Sequence, residues 1–336
     1  MHMGGVKYAL GATFLFAAAA CGQSGPAQGA NAGPNDAPNP YHLDADWAKP
    51  PLGRNFGSTI GVDLDPDGQS IWVYDRCGGN TCSESAIAPI QKFDANGNLV
   101  AAFGQGLFNF PHGLGVDRQG NVYVTDATEG DGRGHTVTKF SPTGEVLLTL
   151  GQAGVAGATE NTFNRPSDVA VAANGDIYVA DGHGGESNAR VVKFASDGTF
   201  ITAWGTLGDA PGEFNQAHAI AIDSQGRVFV GDRNNNRIQI FDADGNYLDE
   251  WRQFGRPSGL FIDGNNMLYV ADSQSDDMLN PGFAQGVRIG SVSDGVVTEF
   301  LSGPDMAGAS EGIAADSEGN IFVGYTGDYA LKRFVK

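Results

Sequence analysis

Two histidines and a glutamate, His112, His218 and Glu311, hold matching places in three separate segments of a 336-residue chain. Each stands two residues ahead of an apolar run, in Pro111-His-Gly-Leu-Gly-Val, Ala217-His-Ala-Ile-Ala-Ile and Ser310-Glu-Gly-Ile-Ala-Ala. Two imidazoles and a carboxylate can hold one divalent cation with positions left open for water or substrate. The set suits catalytic zinc, and equally non-haem Fe(II) as a facial triad. Arg76 and Arg233 each follow an aspartate that closes a second apolar run, in Tyr74-Asp75-Arg76 and Gly231-Asp232-Arg233. With only 20 basic residues in the chain, two guanidiniums at equivalent points suit a bound carboxylate or a developing oxyanion. His183, in Asp181-Gly-His, follows a third such aspartate and is a candidate base, since free imidazole titrates near neutrality.

A repeat must position these residues. Apolar pairs of runs recur six times: Ile60-Gly-Val with Ile71-Trp-Val-Tyr, Leu114-Gly-Val with Val122-Tyr-Val-Thr, and Val169-Ala-Val with Ile177-Tyr-Val-Ala. They continue as Ile220-Ala-Ile with Val228-Phe-Val-Gly, Leu260-Phe-Ile with Leu268-Tyr-Val-Ala, and Ile313-Ala-Ala with Ile321-Phe-Val-Gly. Periods of about 40–50 residues built from β-branched and aromatic runs indicate a propeller. Third and fourth runs follow, as in Val137-Thr-Lys-Phe and Val146-Leu-Leu-Thr-Leu, with Asp-Gly, Asn-Gly or Thr-Gly turns between them. The reading is therefore all-β, a six-bladed propeller of four-stranded antiparallel blades. The sixth unit stops at its third run, Leu331-Lys-Arg-Phe. Residues near 41–47 resemble the outer strand Tyr247-Leu-Asp-Glu-Trp251, so they are expected to close the ring on blade six. Aligning the residue two before each first run gives Ser58, His112, Ser167, His218, Ser258 and Glu311. His112, His218 and Glu311 then fall on alternate blades and form a triangle about the axis. The recurring Asp75, Asp126, Asp181, Asp232 and Asp272 are expected to cap loop N–H groups. His135 and Asp276-Asp277 are expected in solvated loops of the same face.

Composition narrows the partners. Thirty-nine acidic against 20 basic side chains leave a net charge of −19, which repels nucleic acid and anionic membranes at range. Fifty glycines and 15 prolines argue against long helices. Lys7, the apolar stretch from Tyr8 to Ala20, and Ala-Ala-Ala-Cys21 read as an export signal over 1–21. The end resembles a lipobox, with Cys21 the acylated residue. Residues 22–40 read as a flexible linker and 41–336 as the propeller. The chain is expected to be a periplasmic or cell-surface bacterial lipoprotein, or secreted if Cys21 is not acylated, touching membrane only through a lipid anchor. Zinc is the first choice for the metal because an exported protein gains little from labile ferrous iron. Cys77 and Cys82 close a short loop, and an exported chain makes a disulfide the default.

The run Pro-His-Gly-Leu-Gly-Val-Asp, Gly-Asn-Val-Tyr-Val-Thr-Asp and Lys-Phe resembles the NHL repeat. Phe110-Pro-His-Gly-Leu, Arg165-Pro-Ser-Asp-Val-Ala, Ala217-His-Ala-Ile and Asp232-Arg-Asn-Asn-Asn-Arg-Ile-Gln are similar to peptidyl-α-hydroxyglycine α-amidating lyases. That resemblance implies an axial zinc held by three histidines, a structural calcium bound largely by backbone carbonyls, and cleavage of a C–N bond with release of glyoxylate. His112 and His218 match two of the zinc histidines, and Arg76 and Arg233 match active-site arginines. Glu311 stands where the third histidine is expected, and His183 where the family has its tyrosine. The expected function is thus a metal-dependent lyase or hydrolase acting on a small molecule or peptide with an anionic group. The competing readings are a non-catalytic binding propeller and a lactonase-like or streptogramin-lyase-like enzyme.

Overall fold

In the computed structural model, residues 1–2, 33–50 and 53–336 are described. The export signal, Cys21 and the linker up to residue 32 lie outside them. Gly33–Lys336 forms one compact unit. It consists of six four-stranded antiparallel sheets arranged as blades. Within each blade the runs read from the sequence become strands in chain order, inner to outer. Blade two, for example, pairs Pro111–Val116, Val122–Asp126, Thr136–Phe140 and Val146–Gly151. Its inner turn is fixed by Asp117, whose Oδ1 accepts the N–H groups of Gln119 and Asn121, both at 2.9 Å. Gly120 supplies the positive φ of 78° that the turn needs. Five of the six second strands are wholly buried and the sixth is partly exposed only at Met267, because both their faces meet a neighbouring blade.

Blade six takes its outer strand from the other end of the chain. His42–Asp44 pairs antiparallel with the last strand, with His42 opposite Val335 and Asp44 opposite Arg333. Trp47 then packs between blades one and six, its ring centroid 4.7 Å from Phe322 and 6.2 Å from Phe93. Its indole N–H donates to the Ala95 carbonyl at 3.0 Å. The end of the expected linker is also held. Arg288 donates to Asn35 Oδ1 at 2.8 Å, and the Phe300 N–H donates to the Pro38 carbonyl at 3.0 Å.

The recurring aspartates do cap loops. Asp126 accepts the N–H groups of Asn109 and Phe110, and Asp272 those of Arg256 and Ser275. Four of them also pair with an arginine: Asp75 with Arg54, Asp181 with Arg190, Asp232 with Arg237 and Asp272 with Arg288. These bonds fix the loops of the upper face, where the candidate residues sit.

Candidate functional site

Each inner strand carries a bulge near its first residue, and the bulge aims one side chain at the axis. Register shifts fall between Pro111 and Leu114, Pro166 and Asp168, Ala217 and Ala219, Pro257 and Gly259, and Ser310 and Ile313. His112, Ser167, His218, Ser258 and Glu311 therefore share one position. In blade one the shift lies between Thr59 and Gly61, so the matching residue is Ile60 and not Ser58. All six line one small cavity of about 30 Å³, room for a single water or ion. Strands approach closely here: a Cβ on Gly312 would lie 2.8 Å from the Ile60 carbonyl.

His112 and His218 are each 2% exposed. His112 Nδ1 is 2.7 Å from the Ser167 carbonyl, and His218 Nδ1 is 2.8 Å from the Ser258 carbonyl. A carbonyl only accepts, so each Nδ1 carries the proton and each Nε2 presents a lone pair. Both Nε2 atoms are buried and have no hydrogen-bond partner. Burial without a partner is costly for a polar atom. The rings lie 4.9 Å apart by centroid.

His183 joins them. It stands on the turn after Ile177–Asp181, and its N–H donates to the Arg165 carbonyl at 2.9 Å. Its ring is 4.2 Å from that of His112 and 5.3 Å from that of His218. Each of the three imidazoles offers a nitrogen, and the three nitrogens lie within 4.8 Å of one another. Glu311 sits beside this cluster. One carboxylate oxygen is 3.8 Å from His218 Nε2, and the other accepts from Arg233 Nη1 at 3.3 Å.

The arginines are 5% exposed each. Arg76 stacks on Phe110, its guanidinium carbon 3.7 Å from the ring centroid. Its Nε donates to the Pro111 carbonyl at 3.0 Å and its Nη1 to Asn80 Oδ1 at 2.7 Å. Asn80 lies inside the loop closed by the Cys77–Cys82 disulfide, so the expected bracing of Arg76 by that loop runs through Asn80. Arg233 is fixed by Gln216 Oε1 at 3.1 Å and by Glu311. His135, expected in a solvated loop, is instead 1% exposed. It donates through Nε2 to Glu129 at 2.8 Å and accepts the Arg165 N–H on Nδ1 at 3.2 Å.

The NHL repeat family matches residues 108–140, 163–194 and 214–241. Peptidyl-glycine alpha-amidating monooxygenase B of Xenopus laevis is 30% identical over 328 residues, covering 87% of this chain and 35% of its own. The probable peptidyl-alpha-hydroxyglycine alpha-amidating lyase of Caenorhabditis elegans is 37% identical over 145 residues, 42% of this chain and 39% of its own. The chain is an NHL-repeat propeller resembling the amidating lyases. It spans little more than a third of the length of these two relatives. A gluconolactonase from Xanthomonas campestris shares the fold of this NHL propeller, with a TM-score of 0.57 at 17% identity over 83% of this chain and 86% of its own.

The site of the NHL propeller keeps its imidazoles neutral. Burial first holds His112 and His218 well below the usual histidine range; His183, His218 and Arg76 add to it at His112, and Arg233 and His183 at His218. Burial, then Arg233, Arg76 and Arg165, lower His183 to about 3. Deeper in the channel, a second cavity of about 180 Å³ is lined in part by Asp63 and Asp168. Burial raises them to about 7 and about 8, against the backbone N–H groups that each accepts.

These shifts predict two opposed limbs in the metal-free protein. The histidines have folded values below their unfolded value of about 6.5. Their contribution is complete above that pH and is lost as pH falls below it. The two carboxylates have raised folded values, so theirs is complete below their unfolded value of about 3.9 and is lost progressively as pH rises to 7 and 8. Thermal melts of chelated protein should thus show Tm falling as pH rises from about 6.5 to 8, where the carboxylates alone still titrate, and a shallower fall on the acid side, where the three histidines outweigh the two opposing carboxylates. Asp168→Asn should flatten the alkaline limb and the double His112→Asn, His218→Asn variant the acid limb. Unchanged limbs in these variants would refute the assignment.

Three features of the site escaped sequence reasoning. The serines of blades three and five act through their carbonyls, to which side-chain type is no guide. His183 is expected at this site as a base, but its approach to 4.2 Å from the His112 ring is set by its own loop. The blade-one position is hidden because a shift of two residues preserves a strand's alternation.

Proposed function

We propose that this NHL propeller is an exported, metal-dependent lyase or hydrolase of the peptidyl-α-hydroxyglycine amidating-lyase type. One observation carries the reading: two buried Nε2 lone pairs, on His112 and His218, face a common point without partners while carbonyls hold the opposite nitrogens. That is the outer support a metal-bound histidine uses. The donor set fits zinc, with iron the alternative. We assign His112, His183 and His218 as the ligands, in place of the His112, His218 and Glu311 set expected from repeat phase. Asp63 and Asp168 are the buried carboxylates that could hold a structural calcium.

A bound zinc supplies Lewis acidity to a substrate hydroxyl or carbonyl. The chain's own residues supply the rest. Arg76 and Arg233 bind an anionic group of the substrate and orient the carbinol toward the axis. Glu311 takes the hydroxyl proton. As the C–O bond becomes a carbonyl and the C–N bond breaks, the same carboxyl group returns its proton to the leaving nitrogen. Arg233 keeps Glu311 in reach of both atoms. The Cys77–Cys82 disulfide and the likeness to amidating lyases support an oxidising, extracytoplasmic setting. Acylation of Cys21 would place the propeller at a membrane surface, and without it the protein would be secreted.

The test is elemental analysis of purified protein with an assay on a peptide ending in α-hydroxyglycine. About one zinc or iron per chain and release of glyoxylate are expected. Arg233→Ala should weaken an anionic substrate far more than a neutral one. Absence of both metal and turnover would leave a binding propeller.

A further inference from the structure

We propose that Arg165 forms a second anion-binding arm, so that the substrate of this site carries two anionic groups. The inference rests on the axial reading above and names the substrate class. Arg165 precedes the inner strand of blade three, directly before Pro166, and has φ of +66°. A non-glycine residue in that region is strained, and proline further restricts the residue ahead of it. The backbone is held there on both sides. Its N–H donates to His135 Nδ1 at 3.2 Å, and its carbonyl accepts from Gly182 at 3.1 Å and His183 at 2.9 Å. The side chain thereby lies along the turn that carries His183, with Nη1 donating to the Gly184 carbonyl at 3.3 Å.

What distinguishes this guanidinium is what it lacks. Among the described residues, no carboxylate oxygen lies within 4.0 Å of it, and its Nε and Nη2 have no hydrogen-bond partner. The nearby Glu129, its side chain 65% exposed, is hydrogen-bonded by His135 at 2.8 Å and bears on Arg165 only at longer range. Arg256, at the same position in blade five, serves as the contrast. It donates to the Arg233 carbonyl at 3.0 Å, to Asn236 at 2.9 Å, to Asn234 at 2.5 Å and to Gln274 at 3.2 Å. Arg256 is a satisfied brace, whereas Arg165 keeps donors for a ligand. Arg76, Arg165 and Arg233 all bear electrostatically on His183, and Glu311 offsets one of the three. Arg76 and Arg165 have no carboxylate within ion-pair distance among the described residues, and two such cations in a chain of net charge −19 match a dianion in charge.

Titration calorimetry on zinc-loaded protein with glycolate, which has one carboxylate, and tartronate, which has two, tests the proposal. Tartronate should bind about tenfold more tightly. Arg165→Met should remove that advantage while leaving glycolate within about twofold, and Arg165→Lys should restore part of it. Thermal melts establish that both variants fold. An advantage for tartronate that is absent in the parent, or that survives in Arg165→Met, overturns the second arm. So does equal weakening of both acids, which is the behaviour of a brace. If glycolate binds and Arg233→Ala abolishes it, the axial reading stands whatever tartronate does. If neither acid binds, both readings fall.

Discussion

Replacing His183 by alanine should strip the axial metal, whereas Glu311→Gln should keep it and lose turnover. The His183→Ala variant is expected to weaken metal affinity by more than about 100-fold, since loss of a mere supporting contact already costs 10–100-fold. Metal per chain after dialysis against a weak chelator reads this directly. In Glu311→Gln the amide accepts no proton at neutral pH, so kcat should fall by about 10²–10⁴ with metal content unchanged. The reverse pattern, metal lost from Glu311→Gln and retained in His183→Ala, would return Glu311 to the ligand set and His183 to the role of base. The geometry favours the first outcome. The three histidine nitrogens lie within 4.8 Å of one another, while the Glu311 carboxylate is tied to Arg233 at 3.3 Å.

Trp47→Ala should lower stability more than any substitution on the outer faces of the blades. The side chain is 5% exposed and fills the seam between blades one and six. Truncating a buried tryptophan costs about 3–5 kcal/mol through lost burial and the cavity left behind. At about 2–4 °C per kcal/mol for domains approaching this size, Tm should drop by roughly 10 °C. Leu207→Ala, at a side chain 76% exposed, is the control and should change little. A similar Tm for both variants would show that the seam contributes little to stability.

Much of the architecture could be read from the chain because each blade repeats both its apolar alternation and its turn chemistry. Asp117, Gly120 and Asn121 recur as Asp316, Gly319 and Asn320 with the same hydrogen bonds. The likeness of Tyr41 to Trp47 with Tyr247 to Trp251 located the closing strand. At the site, His112, His218 and Glu311 were legible because repeat phase maps onto position about the axis. Ile60 was not, since Gly-Val-Asp occurs in blades one and two with an offset of two residues. A six-residue inner turn from Asp65 to Ser70, in place of the five from Asp117 to Asn121, conceals the offset. His183 and His135 lie where loops decide the outcome, and loops follow their own hydrogen bonds rather than a period. The supporting carbonyls of Ser167 and Ser258 are main-chain atoms that any residue would offer.

Pairing His42–Asp44 with the C-terminal strand also sets a timetable for synthesis. The strand His42–Asp44 must wait, unpaired, until Ala330–Val335 has been made. Every nascent chain short of that point exposes an open edge on the final sheet, inviting mispairing with another chain. A premature stop near Ala330 would therefore harm the whole toroid rather than one corner of it. Once latched, the join resists peeling, because pulling on either of the two strands loads hydrogen bonds anchored on the other.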